Sequence, residues 1–393
     1  MSIFIKIAMH KDILIDNSGE KGLIADLQKR TDIKAERIKR LLNMPDLSRK
    51  GGSPLKQIVD KVLQIPDFAN FDVIHIPEII STEILFDLFG FAKDHVARSE
   101  SDTYYVDDPS NSSGQVKHVL RTHDTVFWYY YLSHPEIKER IAKKEPFGTF
   151  CYGKVYRKDE IDNRHMNVFH QMGGLYLVPD TQAITMDDLK SALSLIVKSI
   201  FGPNVNFKFT PETFPYTDPS IEIEVEIGGR WIEIVGSGLP KKTILKNFGL
   251  EGYNGWAFGF GLERLAIIKM DVPDIRLFWS TDSRIVEQLK NVDNTYKEVS
   301  KYPAVVRDIS FVIDKNVALN NYYELVRDEA GDLVEQVELV DQYENEEKWP
   351  GKKSYTFRII YRSLEKTLTN EEVNVIHEKI VEKTKAELNA IIR

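Results

Sequence analysis

Two arginines, each set among aromatic or glycine residues, are the side chains of this sequence best suited to chemistry. Arg157 stands in Tyr156-Arg157-Lys158-Asp159 at the end of an extended run, and a loop carrying His165 leads on to Phe169-His170-Gln171. Arg264 closes the stretch Gly259-Phe260-Gly261-Leu262-Glu263-Arg264, about a hundred residues further on. A guanidinium fork binds two oxyanion oxygens at once and keeps its charge. Glycines let the backbone approach a ligand closely. Fixed cations of this kind stabilise charge that develops on phosphate oxygens without any covalent protein nucleophile. Taken singly, Arg157 would be a surface ion pair and Arg264 a solvated helix residue; their neighbours argue for more. No G-x-G-x-x-G dinucleotide motif or Walker loop occurs in a strand-to-helix context.

These residues need a frame, and the patterning supplies one. Residues 20 to 45 read as a basic helix or helix pair, with Leu23, Leu27, Ile38 and Leu41 among its apolar members and Arg30, Arg37 and Arg40 among its cations. Its bland reading is a solvated amphipathic face, its sharper one a contact to a phosphate backbone. Ser48-Arg49-Lys50-Gly51-Gly52-Ser53-Pro54 has linker composition. A helix from Leu55 to Leu63 and strands at 71–77, 148–157, 169–177, 221–227 and 230–235 follow, with a hairpin at Gly228-Gly229 and an amphipathic helix at 187–200. This is an α+β pattern of mostly antiparallel sheet with flanking helices, not a βαβ series. From Tyr302 the order β-α-β-β-α restarts as a ferredoxin-like split βαβ module, its last helix running over 370–392. The expected division is a basic helical extension over 1–50, a catalytic domain over 51–290 and an appended domain over 302–393.

Composition sets the limits. The chain has 393 residues, 42% of them hydrophobic, enough for two or three cores. A net charge of −8 argues against coating nucleic acid by bulk attraction, while leaving room for a local basic face. The single cysteine, Cys151, excludes an intramolecular disulfide framework and a Cys-rich zinc site. A cytoplasmic home is expected from it. No apolar run reaches the roughly 18 residues of a membrane span. Acids at positions 12, 16 and 20 fit neither a secretory signal nor an acid-poor transit peptide.

Three stretches resemble the signature motifs of class II aminoacyl-tRNA synthetases: Phe71 to Ile79, a strand ending at Pro77; Tyr156 to Gln171; and Gly259 to Leu265. Leu120-Arg121-Thr122-His123-Asp124-Thr125, Phe214-Pro215-Tyr216, Gly255-Trp256-Ala257-Phe258 and Pro273-Asp274-Ile275-Arg276 resemble the phenylalanyl-tRNA synthetases in particular. Tyr302 to Ser310 and Tyr361 to Thr369 resemble that family's ferredoxin-fold anticodon-binding domain, and both domains on one chain resemble its organellar form. The resemblance implies ATP and Mg2+, with no metal ligands assigned, and phenylalanine, tRNA(Phe) and no second kind of subunit as partners. It implies that Arg157 holds the α-phosphate and the substrate carboxylate, Arg264 the γ-phosphate, and Asp159 the adenine amino group. Phe169 would stack on adenine, and His165 would sit near the phosphates. His123, Thr125, Gln171, Gly173, Phe214, Tyr216 and Ala257 would form the amino-acid pocket, with the two aromatic rings edge-on to the substrate. On the terminal module, Arg358 and Arg362 would face RNA or solvent, while Tyr355, Phe357, Ile359 and Tyr361 fill its core.

Some residues depart from the pattern. Gly173 stands where the family carries an acid that pairs with the substrate's ammonium, an interaction worth about 1.5–3 kcal/mol. Gln171 and Thr125 are left as polar partners. Asp124 lies beside Thr125, and strand alternation would turn it to the opposite face. Lys241-Lys242 puts two cations where the family is apolar, and Tyr216 adds a hydroxyl to a common phenylalanine. Besides phenylalanine–tRNA ligation, two readings therefore stay open: adenylation of another aromatic or amine-modified acid, and a non-catalytic tRNA-binding paralogue.

Overall fold

The structure, a computed structural model, describes residues 10–107, 117–299 and 302–393. The first nine residues, part of the stretch read against a targeting signal, lie outside it. Eleven strands precede residue 300 among the described residues: β1 (Asp12–Leu14), β2 (Asp72–His75), β3 (Ile79–Ser81), β4 (Tyr105–Val106), β5 (His118–Leu120), β6 (Phe147–Tyr156), β7 (Val168–Pro179), β8 (Phe207–Phe214), β9 (Thr217–Ile227), β10 (Arg230–Pro240) and β11 (Tyr253–Gly261). Eight form one sheet in the order β1-β2-β6-β7-β11-β10-β9-β8; β3, β5 and β4 form a small second sheet. The β1-β2 and β2-β6 pairs are parallel and the other pairs of the large sheet antiparallel.

Physical chemistry explains the arrangement. Every residue of β6 is buried, which is what a central strand covered on both faces requires. One face carries the helices Pro54–Leu63, Met186–Phe201 and Leu262–Met270 through Leu55, Ile58, Leu193, Ile196 and Leu265. The other face carries Leu85, Phe86, Phe89, Phe127 and Trp128. Thr185 and Asp188 close a capping box at the start of Met186–Phe201. Gly228 and Gly229 take φ of +57° and +77° in the β9–β10 turn, the left-handed pair that a two-residue hairpin demands.

The stretch before residue 54 is built into this domain rather than tethered to it. β1 extends the large sheet, and Leu27, Ile38 and Leu41 pack with Ile79, Tyr104, Leu120 and Tyr156. Linker composition around Ser48 misleads: Ser48 is fully buried, and the Leu47 amide donates to His170 Nε2 at 2.9 Å. His170 Nδ1 in turn meets Glu263 Oε1 at 2.6 Å, so this turn is pinned to the two motif-bearing segments.

The C-terminal module contains β12 (Val305–Asp314), β13 (Val334–Glu344), β14 (Lys352–Tyr361) and β15 (Ile391–Ile392), ordered β13-β14-β12-β15. Helices Asn320–Ala330 and Asn370–Glu387 cover one face. The last helix is shorter than its periodicity suggests: the chain turns through Asn389, φ +52°, into β15. Tyr355, Phe357, Ile359 and Tyr361 are all buried, as expected.

The module clasps the catalytic domain. Ile161, from the loop after Arg157, is buried among the module's apolar residues. Arg37 and Arg40 both reach Asp328, at 2.6 and 2.5 Å. Tyr104 Oη donates to Glu324 at 2.6 Å, and Arg276 Nη1 donates to the carbonyls of Asp332 and Val334 at 2.7 and 2.8 Å. The basic face of the N-terminal helices is thus partly spent on holding the module.

Candidate active site

A cleft of about 1050 Å³ opens on the Leu85–Trp128 face of the large sheet. It is lined by His123, Thr125, Arg157, Asp159, His165, Phe169, Gln171, Phe214, Tyr216, Ala257 and Arg264. Residues far apart in sequence therefore meet in one place. Gly173, expected in the amino-acid pocket, is not part of this lining: Asp124 and Phe127 cover it, and Arg358 and Arg362 are elsewhere, on the C-terminal module.

One end of the cleft is cationic. Arg157 follows the last residue of β6; its Nε donates to Thr122 O at 2.8 Å, and its guanidinium lies 5.2 Å over the Phe169 ring on β7. Between those side chains the wall presents a flat aromatic surface beside a fixed cation. Arg264 belongs to the first turn of helix Leu262–Met270 and pairs with Glu233 of β10 at 3.2 Å. His165 stands near Arg264 and Asp159; its Nδ1 meets Asp162 at 2.8 Å, and that bond holds the imidazole above its ordinary pKa.

The other end is aromatic. Phe214 and Tyr216 stack with centroids 6.2 Å apart, and Tyr216 packs edge-on against Phe89 and Trp128. Lys241 and Lys242 do not charge this end. Lys241 Nζ donates to the carbonyls of Phe214 and Pro215 at 3.1 and 2.9 Å, and Lys242 Nζ reaches Asp180 at 2.6 Å. Lys241 thus secures the aromatic turn from outside, while Lys242 ties Asp180 to the Tyr253 carbonyl.

Gly236, Gly259 and Gly261 line the floor, and Gly173 lies one strand further along the same row. Gly173, Gly259 and Gly236 are direct cross-strand partners on β7, β11 and β10. A Cβ on Gly236 would lie 2.8 Å from the Phe214 ring, and one on Gly173 would lie 2.4 Å from Asp124 Oδ2. Asp124 therefore faces the cleft, contrary to the strand alternation expected of it. Residues Asp124–Val126 form a 3-10 turn, so adjacent side chains are not driven to opposite faces and both Asp124 and Thr125 line the cavity. Burial pushes the Asp124 carboxyl up to about 7, against the pull of Arg121 and Arg157. Burial and the Arg157 charge push His123 down to about 3, and its ring stacks on Phe91. The sequence singles out Asp124 only to set it aside on strand alternation, which a 3-10 turn does not obey, and nothing in the sequence marked Glu233.

On the C-terminal module, Arg358 lies partly exposed and pairs with Asp308 at 2.9 Å. Arg362 is drawn inward to Glu335 and to the Tyr302 carbonyl. Its guanidinium clasps the strand start and does not project to solvent as a ready RNA contact.

Comparison with known proteins places this geometry. Residues 39–289 match the model of the tRNA synthetases class II core domain (F), and residues 300–393 that of the ferredoxin-fold anticodon binding domain. The chain is 38% identical over 326 residues to the chloroplastic/mitochondrial phenylalanine–tRNA ligase of Arabidopsis thaliana, covering 80% of this chain and 71% of that one. It is 33% identical to the mitochondrial phenylalanine–tRNA ligase of Dictyostelium discoideum, covering 80% and 77%. It is also 33% identical to a probable mitochondrial phenylalanine–tRNA ligase of Drosophila melanogaster, covering 84% and 80%. These names correct the cytoplasmic location expected from the single cysteine: the relatives are organellar. A buried thiol such as Cys151 reports only that no disulfide forms, and several compartments permit that.

Proposed function

From the premise that this chain belongs to the phenylalanine–tRNA ligases, class II synthetases with core and anticodon-binding domains on one chain, we propose how its residues divide the work. The enzyme joins phenylalanine to tRNA(Phe) in two steps, adenylate formation and transfer to the terminal adenosine. One observation supports the assignment of roles: a single cleft is lined by Arg157 over Phe169, by Arg264 and by the stacked Phe214 and Tyr216.

In this reading adenine slides against Phe169, and Asp159 accepts from its amino group. Arg157 binds the α-phosphate and the attacking carboxylate together, which holds the reacting atoms in line. Arg264 fixes the γ-phosphate, with Glu233 keeping its side chain in place. His165 adds a partial positive charge beside the phosphates. The phenylalanine ring enters between Tyr216, Phe214 and Ala257, with His123 and Thr125 behind them and Gln171 at its polar end. Class II synthetases use ATP and a divalent metal; magnesium, when bound, would neutralise phosphate charge. Among the described residues no group of three or more His, Cys, Asp or Glu could hold a metal ion, so the residues present do not form a cage of their own for it. The C-terminal module grips the anticodon loop, with Arg358 on its outer surface and Arg362 supporting the strand beneath. No second kind of subunit is required.

The test is ATP–pyrophosphate exchange with phenylalanine, tyrosine and tryptophan in parallel, followed by charging of tRNA(Phe). Phenylalanine should dominate exchange by orders of magnitude. Equal exchange with all three, or none with any, would reject the reading.

A further inference from the structure

The wall of the cleft holds an acid with an unpartnered oxygen. Asp124 is 4% exposed, and among the described residues its Oδ2 has no hydrogen-bond partner. A buried carboxylate oxygen without a donor is costly, and such an atom in a cavity wall marks a place where a ligand completes the bonding. The surroundings are arranged to keep it there. Gly173 and Gly259 face each other across β7 and β11, and a Cβ on either would lie 2.4 or 3.4 Å from the carboxylate. The Asp124 amide donates to Gln171 Oε1 at 3.0 Å, which fixes the turn and occupies that acceptor from the protein side.

The ligand group follows from what lies on either side. Gly236 is the next position along the same cross-strand row, one strand spacing of about 4.8 Å from Gly259, and the Phe214 ring rests over it. Arg157 lines the same cleft, close enough for the two charges to act on each other. An acceptor oxygen therefore shares one cleft with an aromatic wall and a fixed cation. An aromatic α-amino acid presents a ring, an ammonium and a carboxylate over the same span, and only its ammonium is a donor for Oδ2.

We propose that Asp124 is the residue that binds the α-ammonium of the amino-acid substrate, its carboxylate reaching over a side-chain-free Gly173 from the opposite wall of the cleft. The proposal rests on the adenylating role given above and deepens it. It also reassigns the amine from Gln171 and Thr125. With the ammonium bound, Oδ2 gains its donor, and the substrate carboxylate is left directed at Arg157. An acid that lacks the amine leaves Oδ2 buried and unsatisfied, so Asp124 discriminates against deaminated analogues as well as attracting amino acids.

Exchange kinetics of wild type and Asp124→Asn decide it, with two competitors: phenylalaninol, which keeps the ammonium, and hydrocinnamate, which keeps only the carboxylate. Asp124→Asn should raise KM for phenylalanine roughly 10- to 100-fold and leave KM for ATP within about twofold. Phenylalaninol should lose its inhibition by a similar factor while hydrocinnamate keeps its own. Unchanged KM for phenylalanine and unchanged phenylalaninol inhibition would overturn the proposal. If tyrosine or tryptophan replaces phenylalanine as the acid that supports exchange, the specificity assigned above fails, but the amine requirement still tests Asp124 with the matching alcohol. Should Asp124→Asn not fold, Asp124→Thr combined with Gly173→Glu returns a carboxylate to the same space from the floor. Phenylalaninol inhibition restored in that double variant supports the proposal, and its absence in a folded double variant overturns it. Gly173→Glu alone should abolish phenylalanine-dependent exchange, since its Cβ meets Asp124 Oδ2 and sets two carboxylates together.

Discussion

The amide of Val337, in the C-terminal module, donates to the carbonyl of Ile161 in the catalytic loop at 3.1 Å. Ile161 itself is 5% exposed, inside the module's core. That loop begins two residues earlier with Asp159 and carries His165, both of which line the cleft, so the C-terminal module braces a wall of the cleft proposed to hold the nucleotide.

Deleting the module after residue 301 is therefore expected to do more than remove an anchor for tRNA. An appended domain, as the sequence reads over 302–393, could be removed without effect on pyrophosphate exchange only if it left the cleft alone, and this one does not. Truncation would expose Ile161 and strip partners from Arg37, Arg327's acceptor Glu160 and Arg276. Exchange should fall, with KM for ATP raised several-fold and tRNA charging lost. Steady-state kinetics of both chains check this; equal KM for ATP would show that the loop holds its shape alone.

Arg264→Ala should slow adenylate formation severely in a folded protein. Loss of a fixed cation at a developing oxyanion costs on the order of 3 kcal/mol, about a hundredfold in rate. Glu233→Gln, which removes only the carboxylate charge beside Arg264, should cost far less. Exchange rates together with circular dichroism separate loss of chemistry from loss of fold.

Lys241→Met should loosen the aromatic end of the cleft. The ammonium holds the carbonyls of Phe214 and Pro215, so its removal leaves the turn free to shift while the nucleotide end is untouched. KM for phenylalanine is expected to rise and KM for ATP to stay constant. A change in both would place Lys241 in a wider role.

The pH dependence of stability carries a signature of Asp124. Its folded pKa of about 7 exceeds the ordinary 3.8, so between those values the folded chain holds a proton that the unfolded chain has released. Stability then falls as pH rises across that window, by up to about 4 kcal/mol for a shift of this size. His123, held down to about 3, acts in the opposite sense, because the unfolded chain binds the proton between about pH 3 and 6.5. Arg121, Arg157, Cys151 and Tyr216 also face the carboxyl. The difference between wild type and Asp124→Asn isolates the aspartate: the variant should gain stability relative to wild type as pH rises from 4 to 7. Denaturant midpoints without substrate measure it, and parallel curves would show that the carboxyl titrates normally.

Residue order alone determined the family and much of the frame. That Arg157, Phe169 and Arg264 share one cleft was legible because each sits in a motif of the family. The strands β6, β7, β9, β10 and β14 were legible because burial of alternate or continuous positions writes itself into the sequence. Short strands such as β3, β4, β5 and β15 were not, since two or three residues carry no period. Only the tertiary structure decided what Asp124, Lys241 and Arg37 do. Asp124 faces the cleft because its segment is a turn and because Gly173, nearly fifty residues away, leaves the space empty. Lys241 is a clasp and Arg37 a domain contact because of where distant carbonyls and acids fall. A sequence states which groups a chain owns; which of them share a cavity depends on chain reversals that local patterning does not encode.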